Sequence, residues 1–248
     1  MGAGGPLRRM KIALHPTTEV GVRAGKLLLG EADLERIGVL NAPVTDRDPR
    51  VERADGVAGF DLLVTDDADL DVASHAMGAG VPVVTWVDAD DLNLENTPVP
   101  VMTGANLANG IARALVVREL DGRTLPAVMA WTEPGSSLRN GEPITFPDPI
   151  GARWGTVRRR SGSTTEVAVP VNEEWAGAVV KVTDDGTTRI LGIADLASHL
   201  EALALAAGAV TMASGSHAPG RVLPSDVADE YLLAALRAGL DIASFTKA

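Results

Sequence analysis

Short aliphatic runs alternate with helical patterns from Lys11 to Leu120, and this alternation constrains the fold more than any other feature of the chain. Lys11–Leu14, Arg36–Leu40, Phe60–Thr65, Val81–Val87 and Val99–Thr103 read as strands. Glu19–Leu29, Asp69–Met77 and Asn106–Leu120 read as helices, the last with Leu107, Ile111, Leu115 and Val116 on one face. Glycines stand where the first two helices should stop, at Gly30 and at Gly78 and Gly80. The polar, Pro-containing stretch Asn41–Arg50 reads as a loop. Strands separated by helices require crossover connections, and so a parallel sheet with right-handed crossovers. Nearly continuous apolar strands imply that helices cover both faces. Residues 1–122 are therefore expected to form a doubly wound parallel α/β domain.

The pattern changes near Thr124. Leu125–Thr132, Pro143–Phe146, Trp154–Arg160, Thr165–Val171, Ala176–Thr183 and Thr187–Ile193 follow one another as strands without helices between them. Ser161-Gly162-Ser163 and Asp184-Asp185-Gly186 read as hairpin turns. Two helices close the chain, with Asp195 and Ser225 placed as caps and Gly239 as a stop. Residues 123–248 are expected as a second, α+β domain on a mainly antiparallel sheet, its last helix packing back on the first domain. The alternation at Val167, Val169 and Val171 leaves an apolar sheet face that needs a cover, which a homodimer or homotetramer would provide.

Composition narrows the chemistry. The chain of 248 residues has no cysteine, which excludes disulfides, thiol catalysis and Cys-based zinc sites. Its four histidines make no metal-ligand spacing with one another. A formal charge of -11 and few aromatics argue against nucleic acid as a partner. Arg158, Arg159 and Arg160 form the one basic run, expected as a salt-bridged sheet face with Arg159 opposite the other two. The first apolar run, Met10–Leu14, is far too short for a signal or a membrane span, and a soluble, cytoplasmic protein is the expectation.

Ligands of such sheets bind beyond the carboxyl ends of the strands, where the strand order reverses. The turn after the first strand is His15-Pro16-Thr17-Thr18-Glu19-Val20-Gly21. Aligned on G-x-x-G-x-x-G, it has His15 and Thr18 at the first two glycine positions and keeps only Gly21. The Thr17 and Thr18 hydroxyls suit a phosphate at a helix N-terminus; β-branched Thr18 and anionic Glu19 oppose one. Asn41 ends the second strand where an acidic residue would hold the ribose of NAD, and Arg47 and Arg50 follow it. If a dinucleotide binds, this favours NADP slightly over NAD. Asp66 and Asn106, at two further strand ends, complete the candidate cofactor contacts.

Four segments carry a family likeness: Glu19-Val20-Gly21 opening a helix that ends Leu27-Leu28-Leu29-Gly30; Phe60-Asp61-Leu62-Leu63-Val64-Thr65; Ala76-Met77-Gly78-Ala79-Gly80-Val81-Pro82-Val83-Val84; and Thr103-Gly104-Ala105-Asn106. In these, over roughly its first half, the chain resembles the saccharopine dehydrogenase-like and dihydrodipicolinate reductase-like NAD(P)-binding Rossmann oxidoreductases. The resemblance implies an NAD(P)-dependent oxidoreductase of a small polar metabolite. In the second half, the Pro-bracketed stretch Gly141–Trp154 offers Asp148 as an acid or base and Arg153 as a carboxylate clamp; a stiff surface turn is the alternative. The rival function is a degenerate Rossmann protein without redox activity, binding another small ligand or serving as a regulatory subunit.

Overall fold

A computed structural model describes residues 9–88, 92, 94, 96–134, 141, 143–171 and 174–247. The Gly-rich residues 1–8, and Glu142 within the Pro-bracketed stretch, lie outside the described residues. Strands β1 (Met10–His15), β2 (Leu34–Val39), β3 (Val51–Arg53), β4 (Leu62–Thr65), β5 (Val83–Thr85) and β6 (Pro100–Met102) belong to one sheet with β14 (Gly220–Val222). Its order is β14-β6-β5-β4-β1-β2-β3, and every pairing is parallel. The chain leaves β1 for β2 on one side and for β4 on the other. The strand order therefore reverses between β1 and β4, where His15–Pro16 and Asp66–Asp67 emerge.

Helix α1 (Glu19–Leu28) covers one face of this sheet and α2 (Asp71–Gly78) the other. The expected third helix opens as a π-helical turn, Leu107–Ala112, and continues as α3 (Arg113–Leu120). Gly110 sits tightly packed inside this turn. A Cβ there would lie 2.5 Å from the Tyr231 hydroxyl and 3.2 Å from the Gly104 carbonyl, so the backbone carries the close approach itself.

The second sheet has the order β10-β11-β7-β12-β13-β15, from β7 (Ala127–Pro134), β10 (Thr156–Ser161), β11 (Thr164–Val171), β12 (Trp175–Asp184), β13 (Thr187–Leu196) and β15 (Ala243–Lys247). Its pairings are antiparallel except β11 with β7, so the sheet is mixed. Both expected hairpin turns form, with Gly162, Asp185 and Gly186 at positive φ. A small hairpin, β8 (Pro143–Thr145) with β9 (Ala152–Trp154), lays Ile144, Phe146 and Ile150 over Ala130, Val167, Val169 and Val179. The apolar face that suggested self-association is thus covered within the chain.

Helix α4 (Ala197–Ser214) is apolar nearly all round and packs on α1, on β4 and β5, and on the second sheet. Such a helix belongs in a core. With α5 (Ala228–Arg237) it makes one aliphatic interior shared by both sheets. Asp195 does not cap α4: β13 runs on to Leu196, the Asp195 carboxylate accepts from the Leu196 N–H at 2.6 Å, and it faces His199 Nε2 at 3.8 Å. Ser225 does not cap α5 either, because Pro224–Val227 form a 3-10 turn in which Asp226 accepts from the Leu223 N–H. Among the described residues no helix is long and apolar enough to cross a membrane.

Candidate functional site

The turn between β1 and α1 brings four of the sequence candidates together. The Asp66 carboxylate, on the segment leaving β4, lies inside this turn. It accepts from the backbone N–H groups of Thr17 at 2.6 Å, Thr18 at 2.9 Å and Gly21 at 2.8 Å. The Thr17 and Thr18 hydroxyls donate to it at 3.2 and 2.5 Å. Asp66 is 0% exposed. Free N–H groups at a helix N-terminus demand acceptors, and the dipole favours a negative one. Here the chain supplies that acceptor. Thr18 is also the N-cap, taking the Val20 N–H at 3.1 Å. Gly21 is needed for the same reason: a Cβ there would stand 2.8 Å from Asp66 Cγ and from the Pro16 Cα.

His15 is buried beside this cluster, with Nδ1 3.3 Å from the Thr65 hydroxyl and 3.6 Å from Asp67 Oδ2. Asn41 closes β2 in the left-handed conformation that asparagine tolerates, φ +53°, and is exposed. Arg50 donates to Asp48 at 2.8 Å and to the Leu29 carbonyl at 2.8 Å. Its guanidinium holds the Asp48 carboxyl down at about 2.

The larger concavity lies elsewhere, between the lobes. It has a volume of about 720 Å³. Trp86 to Asp88 after β5 and Asn106 to Asn109 at the π turn form one wall. Trp131 to Pro134 of β7, Arg158 and Arg159 of β10, Glu166 of β11 and Glu201 of α4 form the rest. Asn106 is committed to structure: its amide accepts from the Asn109 N–H at 2.8 Å and donates to the Trp86 carbonyl at 2.7 Å.

Most charges in this cleft are paired. Asp88 meets Arg221 at 3.1 Å and the Asn109 amide at 2.9 Å. Glu133 meets Arg158 at 2.5 Å. Glu166, only 2% exposed, bridges Arg113 at 2.9 Å and Arg159. Glu201 differs. It accepts one hydrogen bond, from the Leu107 N–H at 2.9 Å, and has no cationic partner among the described residues. Burial pushes its carboxyl up to about 7, with the Leu107 N–H acting weakly against that. The indole Nε1 of neighbouring Trp86 is buried without a hydrogen-bond partner.

Glu201, Trp86 and Trp131 were not among the sequence candidates. A signal for Glu201 exists: it is the one acidic residue in the apolar stretch Ala197–Ser214. The expected alternation of Arg158 and Arg159 fails because a register shift between Val157 and Arg159 interrupts it. Such a bulge re-aims side chains, and both arginines line the cleft. Asp148 and Arg153 do not reach the cleft. Asp148 is exposed on the β8–β9 turn and Arg153 lies on β9, donating to the Ala152 carbonyl at 3.1 Å. Their hairpin covers the outer face of the second sheet, away from the cleft.

No family model matches the chain, and no curated protein matches it in sequence. Solved structures match its fold. A dipicolinate-bound dihydrodipicolinate reductase from Paenisporosarcina sp. TG-14 aligns over 86% of this chain and 97% of its own, with TM-score 0.54 and 11% identity. A mutant meso-DAP dehydrogenase from Clostridium tetani E88 aligns over 90% and 96%, with TM-score 0.53 and 12% identity. A homospermidine synthase from Legionella pneumophila in complex with NAD aligns over 97% and 92%, with TM-score 0.59 and 7% identity. The chain therefore shares the two-lobed fold of these proteins. The dinucleotide implied by this fold sets its pyrophosphate on the N–H groups that open the first helix. In this chain those groups are bonded to Asp66, and the residues present do not fit a pyrophosphate there.

Proposed function

We propose that this chain binds a small amine-bearing metabolite in the cleft between its lobes, on a scaffold shared with NAD(P)-dependent oxidoreductases. The observation that carries this reading is Glu201. It is the carboxylate of the cleft whose charge no described side chain balances, and Trp86 and Trp131 line the same cleft. An ammonium group meeting it gains a charge-assisted hydrogen bond in a partly desolvated site. Aromatic faces attract cations too, and Trp131 already holds Arg158, 5.8 Å from its ring centre. The paired arginines leave the cleft polar without making it a strong anion trap.

The fold favours nicotinamide-dependent redox chemistry, with NADP or NAD, on such a metabolite. Asp66 favours the second reading, a ligand-binding protein without redox activity, and this is the one we adopt. The test is calorimetric titration at about pH 8, above the Glu201 pKa, with ethylamine, putrescine and lysine, and with acetate and phosphate as anionic controls. Amines are expected to bind at millimolar concentration or tighter, and Glu201→Gln to weaken them by about tenfold or more. Preference for the anions, or equal binding by the variant, defeats the proposal.

A further inference from the structure

We infer that Asp66 is a built-in substitute for a phosphate group, and that it bars dinucleotides and other diphosphates from the point where the strand order reverses. The inference shares with the proposed amine binding the absence of a cofactor, but it holds whichever ligand the cleft takes.

The geometry is that of an anion site already filled. Three N–H groups and two hydroxyls converge on one carboxylate, at 2.5 to 3.2 Å. The carboxylate is wholly buried and belongs to a strand end, so a rigid sheet positions it. A pyrophosphate entering here would have to displace it and find these donors free. It would also bring its own negative charge against one that cannot leave. Glu19 does not share this role: it faces Arg23 at 2.6 Å on the exposed side of α1.

The same contact explains which parts of the glycine pattern remain. In dinucleotide sites the glycines clear space for the pyrophosphate and for helix–strand packing. Here His15 packs on Thr65 and Asp67, and Thr18 caps the helix while donating to Asp66. Neither position has a phosphate to accommodate. Gly21 is still required, because a side chain would strike Asp66 itself. The altered turn and the buried aspartate therefore form one arrangement, in which the chain carries the anion that a ligand would otherwise bring.

The test has two arms. The wild-type protein is titrated with NADH, NADPH, ADP and inorganic pyrophosphate, using nicotinamide fluorescence and calorimetry. No binding is expected at millimolar concentration, and micromolar binding of any of them overturns the inference. In the second arm, Asp66→Ser is heated with and without pyrophosphate. Vacated N–H groups should accept the anion, raising the midpoint temperature by roughly 3–6 °C at tenfold excess over the dissociation constant, with no rise in the wild type. If Asp66→Ser does not fold alone, it is refolded with pyrophosphate or with chloride. Recovery of native circular dichroism with pyrophosphate alone supports the inference. A folded variant indifferent to pyrophosphate, or one that pyrophosphate fails to recover, overturns it. Neither arm uses the amine site, so amine binding at Glu201 can fail or hold independently of Asp66, while the choice against redox chemistry stands or falls with it.

Discussion

Replacing Glu201 by glutamine should flatten part of the pH dependence of folding. In the folded chain burial raises this carboxyl from 4.5 to about 7. A group whose folded pKa is raised binds its proton more tightly when folded. Its contribution to stability is complete below the unfolded value and is lost as pH rises through the folded one. The window is therefore about pH 4.5 to 7, and the wild type should lose stability across it while Glu201→Gln should not. Each tenfold gain in proton affinity corresponds to about 1.4 kcal/mol, which sets an upper bound of about 3 kcal/mol for the difference. Glu201 keeps partial contact with solvent through the cleft, so about 1–3 kcal/mol is the expected range. Urea denaturation of both proteins at half-unit steps of pH gives the difference curve directly. It should fall toward higher pH for the wild type relative to the variant. A flat curve, or one of opposite slope, refutes the assignment of Glu201 as a buried carboxylate without a counter-charge. Added amine at high pH should recover the lost stability in the wild type only.

Glu166→Gln should destabilise the chain by about 1–3 kcal/mol in urea denaturation, since it takes a charged acceptor from the half-buried Arg113 while the exposed Arg159 stays solvated. Because Arg113 belongs to α3 and Glu166 to β11, the loss should also loosen the two lobes, visible as faster proteolysis between them. Gly110→Ala should cost about 1–3 kcal/mol through overpacking, because the new methyl would meet the Tyr231 hydroxyl at 2.5 Å. In the Tyr231→Phe background the same substitution should cost distinctly less, and additive costs in thermal melts would refute that account.

Strands β1, β2, β4, β5 and β6 were legible because parallel strands buried on both faces leave continuous aliphatic runs; β3, three residues long and largely exposed at the sheet edge, leaves none. What escaped were the elements whose evidence is long-range. β14 and β15 are short and recruited from far along the chain, and β14 completes the first sheet at β6, over a hundred residues away in sequence. Within the π turn Gly110 meets Tyr231, a contact no local window contains. The site divides in the same way. Thr17, Thr18 and Asp66 lie at strand ends, which topology alone dictates, and Gly21 is the one glycine of the turn pattern that remains. Their mutual bonding was not legible, because nothing local tells an aspartate at one strand end that three N–H groups at another face it. Asp148 and Arg153 drew attention through unusual local composition. That rigidity serves to cover the second sheet, where Phe146 and Ile150 are the residues that matter.

The two charged clusters, taken together, reverse what the fold ordinarily asks of a ligand. A dinucleotide site offers positive ends of dipoles and waits for negative charge from outside. Here Asp66 has met that demand from within, leaving those N–H groups without need of a ligand. In the cleft the reverse holds: Asp88, Glu133 and Glu166 each face a guanidinium, and Glu201 does not. A buried carboxylate without a cation either keeps its proton or awaits a positive partner. At neutral pH Glu201 stands between those two states, with its pKa at about 7. A ligand that brings an ammonium group tips it to the ionised form and releases a proton on binding. Amine binding should therefore strengthen by up to about tenfold per pH unit below that pKa and level off above it. A ligand that binds through its own carboxylate would show the opposite trend.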